Sequence, residues 1–392
     1  MQRGITYYGS GARLRAVAHK LLQGRRVKVY TLGGSVTASA ALHPRGLSYA
    51  ALLFRFINGT FPNRMQILEP FNSPSRRAFE QLIRRLLALP GRPAVMLLHH
   101  YAWWMSKGDG LWGGLFYKEP EAQHTTFAHY YDLPSVSLRA AAWRLMEAGV
   151  EGFKVDKLLR PGGLNGATKK PIPVADEGES NLYLYGDVGH PEVNGQQALA
   201  ELLTAPLTRA VREAAAGLTL ATRVDDRLGE LPPPMIPKNP VGAASVCAML
   251  EDFKKVVTHR SGFQFVAHRP DAPTFALQKW RWQGNRPGDW VEMEVNTVAE
   301  GAHRRALATV MLVHLRSYEN MGLARVECVE GCACPPAALD TLWRIKASIF
   351  YAFAHKVTQH PRCRLRVTIE DEPGRAQQQA HKVSLTGLMV TH

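Results

Sequence analysis

The stretch LPPPMIPKNP, residues 231–240, divides the chain: five prolines in ten residues cannot form a helix interior or a central strand. It reads as a linker, and the periodicity of apolar residues differs on its two sides. The expected division is a first domain over residues 1–222, a proline-rich linker over 223–245 and a second domain over 246–392.

Before the linker, two kinds of segment alternate. VKVYTL (27–32) and PAVMLLHH (93–100) are short apolar runs of the buried-strand kind. YAALLFRFI (49–57), SRRAFEQLIRRLLAL (75–89), SLRAAAWRLMEAG (137–149) and NGQQALAELLTAPLTRAVREAA (194–215) place apolar residues three and four apart, as helices do. This alternation predicts an α/β domain with a mostly parallel sheet. After the linker the period becomes two. Val291, Met293 and Val295 alternate with Glu292 and Glu294, and Leu365, Val367 and Ile369 alternate with Arg364, Arg366 and Thr368. ALATVMLVHL (306–315) and KVSLTGLMV (382–390) add two strands, so this half is expected to be an antiparallel β-sandwich.

At 392 residues and 46% hydrophobic, the chain is long enough for two cores. Its formal charge of +15 is scattered, with no long basic run and no interleaved aromatic motif, so it reads as solvated helix faces rather than a nucleic-acid surface. No apolar stretch approaches the ~20 residues of a membrane-spanning helix. The first 23 residues lack the continuous apolar core of a secretory signal. Four of five cysteines lie late, at Cys328, Cys332, Cys334 and Cys363, with Cys247 apart. No histidine pair completes a zinc pattern, so one or two disulfides are expected, and these belong to an oxidising compartment.

TLGGSVTAS (31–39) puts Ser35 behind a strand-like run, with Gly33 and Gly34 allowing a tight strand-to-helix turn. Ligands bind outside the carboxyl ends of parallel strands, and an N–H at such a turn suits a developing oxyanion. A serine here is also an ordinary helix cap. A second motif bears on the choice. In YLYGDVGHPEVNGQQALAELL (183–203), Asp187 stands three residues before His190, so the carboxylate can reach Nδ1 and direct Nε2 to a serine.

Together GGSVTAS (33–39) and DVGHP (187–191) resemble the SGNH, or GDSL-like, esterases, over about residues 5–215. The likeness is closest to the plant and algal type with a C-terminal β-domain, whose texture recurs in RSYENMGLARVECVEGCAC (316–334) and HKVSLTGLMV (381–390). The resemblance implies a flavodoxin-like three-layer α/β/α domain followed by the β-sandwich. It implies Ser35 as nucleophile, His190 as general base, Asp187 as the orienting acid, and Gly34 with Ser35 at the oxyanion turn. The reaction it implies is acyl-ester hydrolysis through an acyl-enzyme, O-acetyl groups of a glycan included, in the secretory pathway or outside the cell. No metal and no cofactor are expected; the partner is an ester substrate such as an acylated polysaccharide, not nucleic acid.

The sequence departs from the family in one place. Two further oxyanion donors, a glycine N–H and the asparagine of a Gly-x-Asn-Asp motif, should follow the next strands, yet Phe61 to Ser75 offers only PNRMQILEPFNSPS after Phe61. Neither Asn63 nor Asn72 has that setting, so the role goes to neither, and a strand, a helix and a strand are expected to be missing. Loss of one donor costs about 10²–10³ in turnover. The alternative reading is therefore an impaired SGNH-fold protein that binds glycans or partners.

The remaining candidates stay open. Tyr101, Trp103 and Trp104 follow a predicted strand and suit either a substrate rim or a core. His124, His129 and Asp132 suit a lid or structural loop better than a metal site. Trp280 and Trp282 suit a glycan surface or a sandwich core, and Asn58 opens a glycosylation sequon.

Overall fold

A computed structural model describes residues 2–33, 36–37, 47–60, 76–105, 121–165, 168, 170–217, 231–237, 239, 246–249, 251–272, 278–299, 307–342, 348–371 and 381–391. The chain separates into two compact units, Met1–Val241 and Gly242–His392.

In the first unit the described elements are β1 (Ile5–Tyr7), α1 (Ala12–Leu22), α2 (Tyr49–Thr60), α3 (Arg76–Leu87), β2 (Leu97–His99), α4 (Glu121–Tyr130), β3 (Ser135–Ser137), α5 (Leu138–Glu147) and α6 (Val193–Ala215). The four segments with helical spacing all form helices, as α2, α3, α5 and α6. Strand order is β1-β3-β2. β2 runs parallel to β3, with His99 opposite Ser137, and β1 runs antiparallel to it, with Tyr7 opposite Ser135. Ser137 ends β3 and caps α5, its hydroxyl accepting the Ala140 N–H at 3.1 Å, so strand passes to helix without a loop. Val136, Leu138, Tyr185, Leu199 and Leu202 are fully buried in one core, on the order of 1.5–3 kcal/mol for each aliphatic side chain.

Two local expectations differ. VKVYTL forms no strand and pairs with no described strand, although Val27 and Val29 still pack on this core. EAQHTTFAHYYD, read as lid or loop, is largely α4, which buries Phe127 and Ala128 with Tyr131 just beyond it.

A buried carboxylate gathers several of the hydrogen bonds that hold the proline-rich segment against α3 and Tyr131. Glu80 on α3 accepts the Tyr131 hydroxyl at 2.6 Å, the Asn239 amide at 2.6 Å and the backbone N–H groups of Met235 and Ile236. Its burial acts to raise the Glu80 carboxyl, but these donors outweigh it and hold the group below its ordinary range.

The second unit contains β4 (Val246–Met249), α7 (Glu251–Val256), β5 (Val257–Ser261), β6 (Gln264–Ala267), β7 (Trp280–Gly284), β8 (Trp290–Val295), β9 (Leu307–Arg316), β10 (Leu323–Glu330), β11 (Ala337–Asp340), β12 (Ile349–Thr358), β13 (Cys363–Glu370) and β14 (Val383–Thr391). One sheet has the order β11-β10-β13-β8-β5 and the other β12-β9-β14-β7-β6, with β4 also on β14. The period-two residues behave as expected: Val291, Met293, Leu365, Val367 and Ile369 are buried between the sheets. An α/β domain followed by an antiparallel β-sandwich is the architecture the two periodicities predict.

Two disulfides, Cys328–Cys334 and Cys332–Cys363, gather the late cysteines, and Cys247 on β4 takes part in neither. Trp282 is core, 2% exposed, and Trp280 stacks on Phe265 with ring centroids 5.1 Å apart. The Trp282 indole therefore belongs to the sandwich core. Among the described residues no helix is long and apolar enough to cross a membrane.

Candidate active site

The best-defined site in the first unit is the loop before α6. Tyr185 and Pro191 face each other in an antiparallel bridge, and the Gly186 N–H donates to the His190 carbonyl at 2.9 Å, closing a tight turn over residues 186–190. Asp187 builds the inside of that turn. Its Oδ1 accepts the N–H groups of Gly189 and His190, each at 3.0 Å, and lies 2.7 Å from His190 Nδ1. The carboxylate thus shapes the loop and orients the imidazole with the same oxygen. Burial acts to raise the Asp187 carboxyl, but the bonds from His190 and Gly189 and the Arg160 cation outweigh it and hold it down at about 2. An ionised carboxylate on Nδ1 stabilises the N–H tautomer there and directs proton exchange to Nε2.

The end of β2 supports this loop. The Tyr185 hydroxyl donates to the Tyr101 carbonyl, and Tyr185 itself is fully buried. Burial pushes His100 down to about 4, helped by neighbouring His190, while a hydrogen bond to the Gly189 backbone opposes the shift. His100 therefore stays neutral beside His190 near neutral pH. The sequence reading passed over it; its place directly after a parallel strand was the available signal.

Ser35 and Gly34 lie outside the described residues, as do Asn63, Asn72 and the whole segment 61–75. The flanks of Ser35 are defined. A Cβ on Gly33 would stand 2.1 Å from Thr37 Oγ1, so any larger residue at 33 would force that hydroxyl to shift. Thr37 is 8% exposed, and its hydroxyl lies 2.8 Å from that of Tyr49, at the start of α2. The Tyr49 N–H donates to Gln196 Oε1 at 2.9 Å, and Gln196 Nε2 donates to the Pro191 carbonyl at 3.2 Å. A chain of three hydrogen bonds thus ties the residue two places after Ser35 to the residue after His190. Tyr49 and Gln196 were also missed, because neither sits in a motif.

The other candidates go elsewhere. Tyr101 is 1% exposed and belongs to the core, not to a rim; Trp103 packs edge-on against it, and Trp103 and Trp104 are half-buried on the same core. His124 stacks on Phe79, His129 packs on Tyr7, and Asp132 accepts the Ser10 N–H at 2.8 Å. These three do not converge on a point. Asn58 falls within α2.

No family model and no curated protein matches the sequence. Solved structures do. A two-domain esterase active on acetylated mannans, crystallised with mannopentaose, superposes with a TM-score of 0.64 at 16% identity, covering 100% of this chain and 97% of that one. A second structure of such an esterase gives 0.63 at 15% identity, covering 100% and 98%. A carbohydrate-binding module of Cellvibrio mixtus lichenase 5A, in complex with cellotriose, matches 38% of this chain and 98% of its own at a TM-score of 0.24 and 11% identity. The chain thus shares the fold of a two-domain esterase along its whole length.

Proposed function

We propose that this chain is a serine ester hydrolase that removes acyl groups, acetyl above all, from a glycan. The observation that carries the reading is the Asp187 Oδ1–His190 Nδ1 contact of 2.7 Å inside a loop that the carboxylate itself shapes. The full-length likeness to an esterase active on acetylated mannans supports the substrate class. Two disulfides suit the oxidising surroundings in which an enzyme acting on extracellular glycans works.

In the proposed reaction Ser35 Oγ attacks the acyl carbon while its proton passes to His190 Nε2. Asp187 stabilises the imidazolium that results. The sugar oxygen leaves with that proton, forming an acyl-enzyme on Ser35. Water then attacks the acyl carbon, gives a proton to His190, and frees the carboxylic acid as Ser35 recovers its hydrogen. The test is acetate release from acetylated mannan, with a short-chain nitrophenyl ester as the simple substrate. Wild-type turnover that Ser35→Ala abolishes supports the reading; equal rates in both would end it.

The departure at Phe61 to Ser75, where no Gly-x-Asn-Asp motif occurs, favours a second reading: an SGNH-fold glycan binder with impaired chemistry. It predicts saturable polysaccharide binding without fluorophosphonate labelling of Ser35. Stoichiometric labelling excludes it.

A further inference from the structure

The second oxygen of Asp187 is held by an arginine that lies 27 residues earlier in the chain. Arg160 Nη2 stands 3.2 Å from Asp187 Oδ2, and its Nη1 stands 2.9 Å from Glu192 Oε2. Its backbone is also fixed there, the Arg160 N–H donating to the Gly186 carbonyl at 2.8 Å. Gly186 leaves room for this fork: a Cβ on it would lie 2.2 Å from Arg160 Nη2 and 2.2 Å from Glu192 Oε2. Loop, guanidinium and glycine are therefore fitted to one another.

We propose that Arg160 is a positioning residue for the Asp187–His190 pair, a guanidinium fork that fixes which Asp187 oxygen serves the histidine and moderates the charge the histidine meets. The inference rests on the hydrolase reading above. A carboxylate rotor has two equivalent oxygens. Here Oδ1 takes the histidine and two backbone N–H groups, while Oδ2 takes the arginine, so the two ends have different tasks. The arginine also places a permanent cation against the carboxylate that His190 uses as its counter-ion.

Among the described residues, the charged and titratable groups that face His190 give the effect a sign. Asp187 and Arg160 face it from its own loop and the segment before, Glu192 from the start of α6, and His100, neutral, from the end of β2. Removing the Arg160 cation takes away the positive charge beside Asp187 and Glu192, which favours the protonated imidazole. The acid limb of kcat/KM then moves to higher pH. Both partners are about a third exposed, so solvent screens the effect, and the expected shift is about half a pH unit to one unit.

The experiment is the pH profile of kcat/KM for wild type, Arg160→Gln, Arg160→Lys and Gly186→Ala on a nitrophenyl ester. Arg160→Gln should move the acid limb upward, and Arg160→Lys, which keeps a point charge, should restore most of the original position. Gly186→Ala should reproduce the upward shift with Arg160 itself unmutated, because the new methyl displaces the guanidinium. A purely structural role for Arg160 would lower kcat at every pH and leave the limb in place, and that result for both Arg160→Gln and Gly186→Ala overturns the inference. Wild-type protein with no Ser35-dependent hydrolysis overturns the hydrolase reading and this inference together. An active wild type with unshifted variants overturns the inference alone.

Discussion

Gln196 Oε1 accepts the backbone N–H of Tyr49 at 2.9 Å, joining the start of α2 to the second turn of the helix that follows His190. Gln196 is 1% exposed, so water does not replace it when it is removed. Gln196→Leu leaves the Tyr49 N–H and the Pro191 carbonyl without this partner, a loss of about 2–4 kcal/mol in urea unfolding. If the strut aligns the Ser35 turn with the His190 loop, ester hydrolysis measured well below the unfolding midpoint should also fall by about tenfold or more. A destabilised variant with wild-type turnover would show that the strut serves the fold only.

Asp187→Asn keeps the shape of the side chain and removes its charge. The expected loss is about 10²–10⁴ in kcat with KM little changed, as when the orienting carboxylate of a serine triad is neutralised. Because the Asp187 carboxyl is held down at about 2, it is ionised across the range in which an esterase can be assayed. The deficit should therefore be similar at pH 6 and pH 9. A deficit that vanished at either pH would place the charge elsewhere.

Glu80 predicts an acid-sensitive fold. Its carboxyl is lowered in the folded protein, against an ordinary value of about 4.3 when unfolded. Its contribution is thus complete above that value and is lost as pH falls through the lowered folded value. Glu80→Gln removes the charge and sets an amide N–H₂ among groups that already donate. We expect a loss of about 2–3 kcal/mol at pH 7, shrinking in acid, and read by denaturant titration at pH 7 and pH 3. Equal losses at both pH values would refute the linkage.

The disulfides differ in the loops they close. Cys332–Cys363 spans 31 residues and Cys328–Cys334 spans six. By loop entropy the longer is worth about 3.5 kcal/mol and the shorter about 2. Cys363→Ser should therefore lower the unfolding midpoint of the full chain more than Cys334→Ser does. Peptide mapping without reductant checks the pairing itself.

What was legible in the sequence was local. Asp187 and His190 share one turn, so their spacing alone announced the contact, and the period-two alternation of β8 and β13 announced their burial. What was not legible depends on residues brought together from afar. Arg160, His100, Tyr49 and Gln196 look ordinary in the chain and gain their roles only when distant segments meet. VKVYTL shows the limit of pattern reading. Its valines are packed on the core as their type suggests, yet a strand also needs a neighbour to bond to, and none is found among the described residues. In α4 the apolar periodicity was masked by His124 and His129, whose rings pack against aromatics in place of aliphatic side chains.

That Asp187 and His190 are built into a single five-residue turn has a consequence for how such a catalyst can be adjusted. On the proposed hydrolase reading Asp187 and His190 travel as one body, so a displacement of the loop would change its distance to Ser35 without changing the pairing within it. Speed and pH preference then become separate controls. The first is set by whatever anchors the turn from outside, as Gln196 does through Pro191, and the second by the charges that touch its carboxylate.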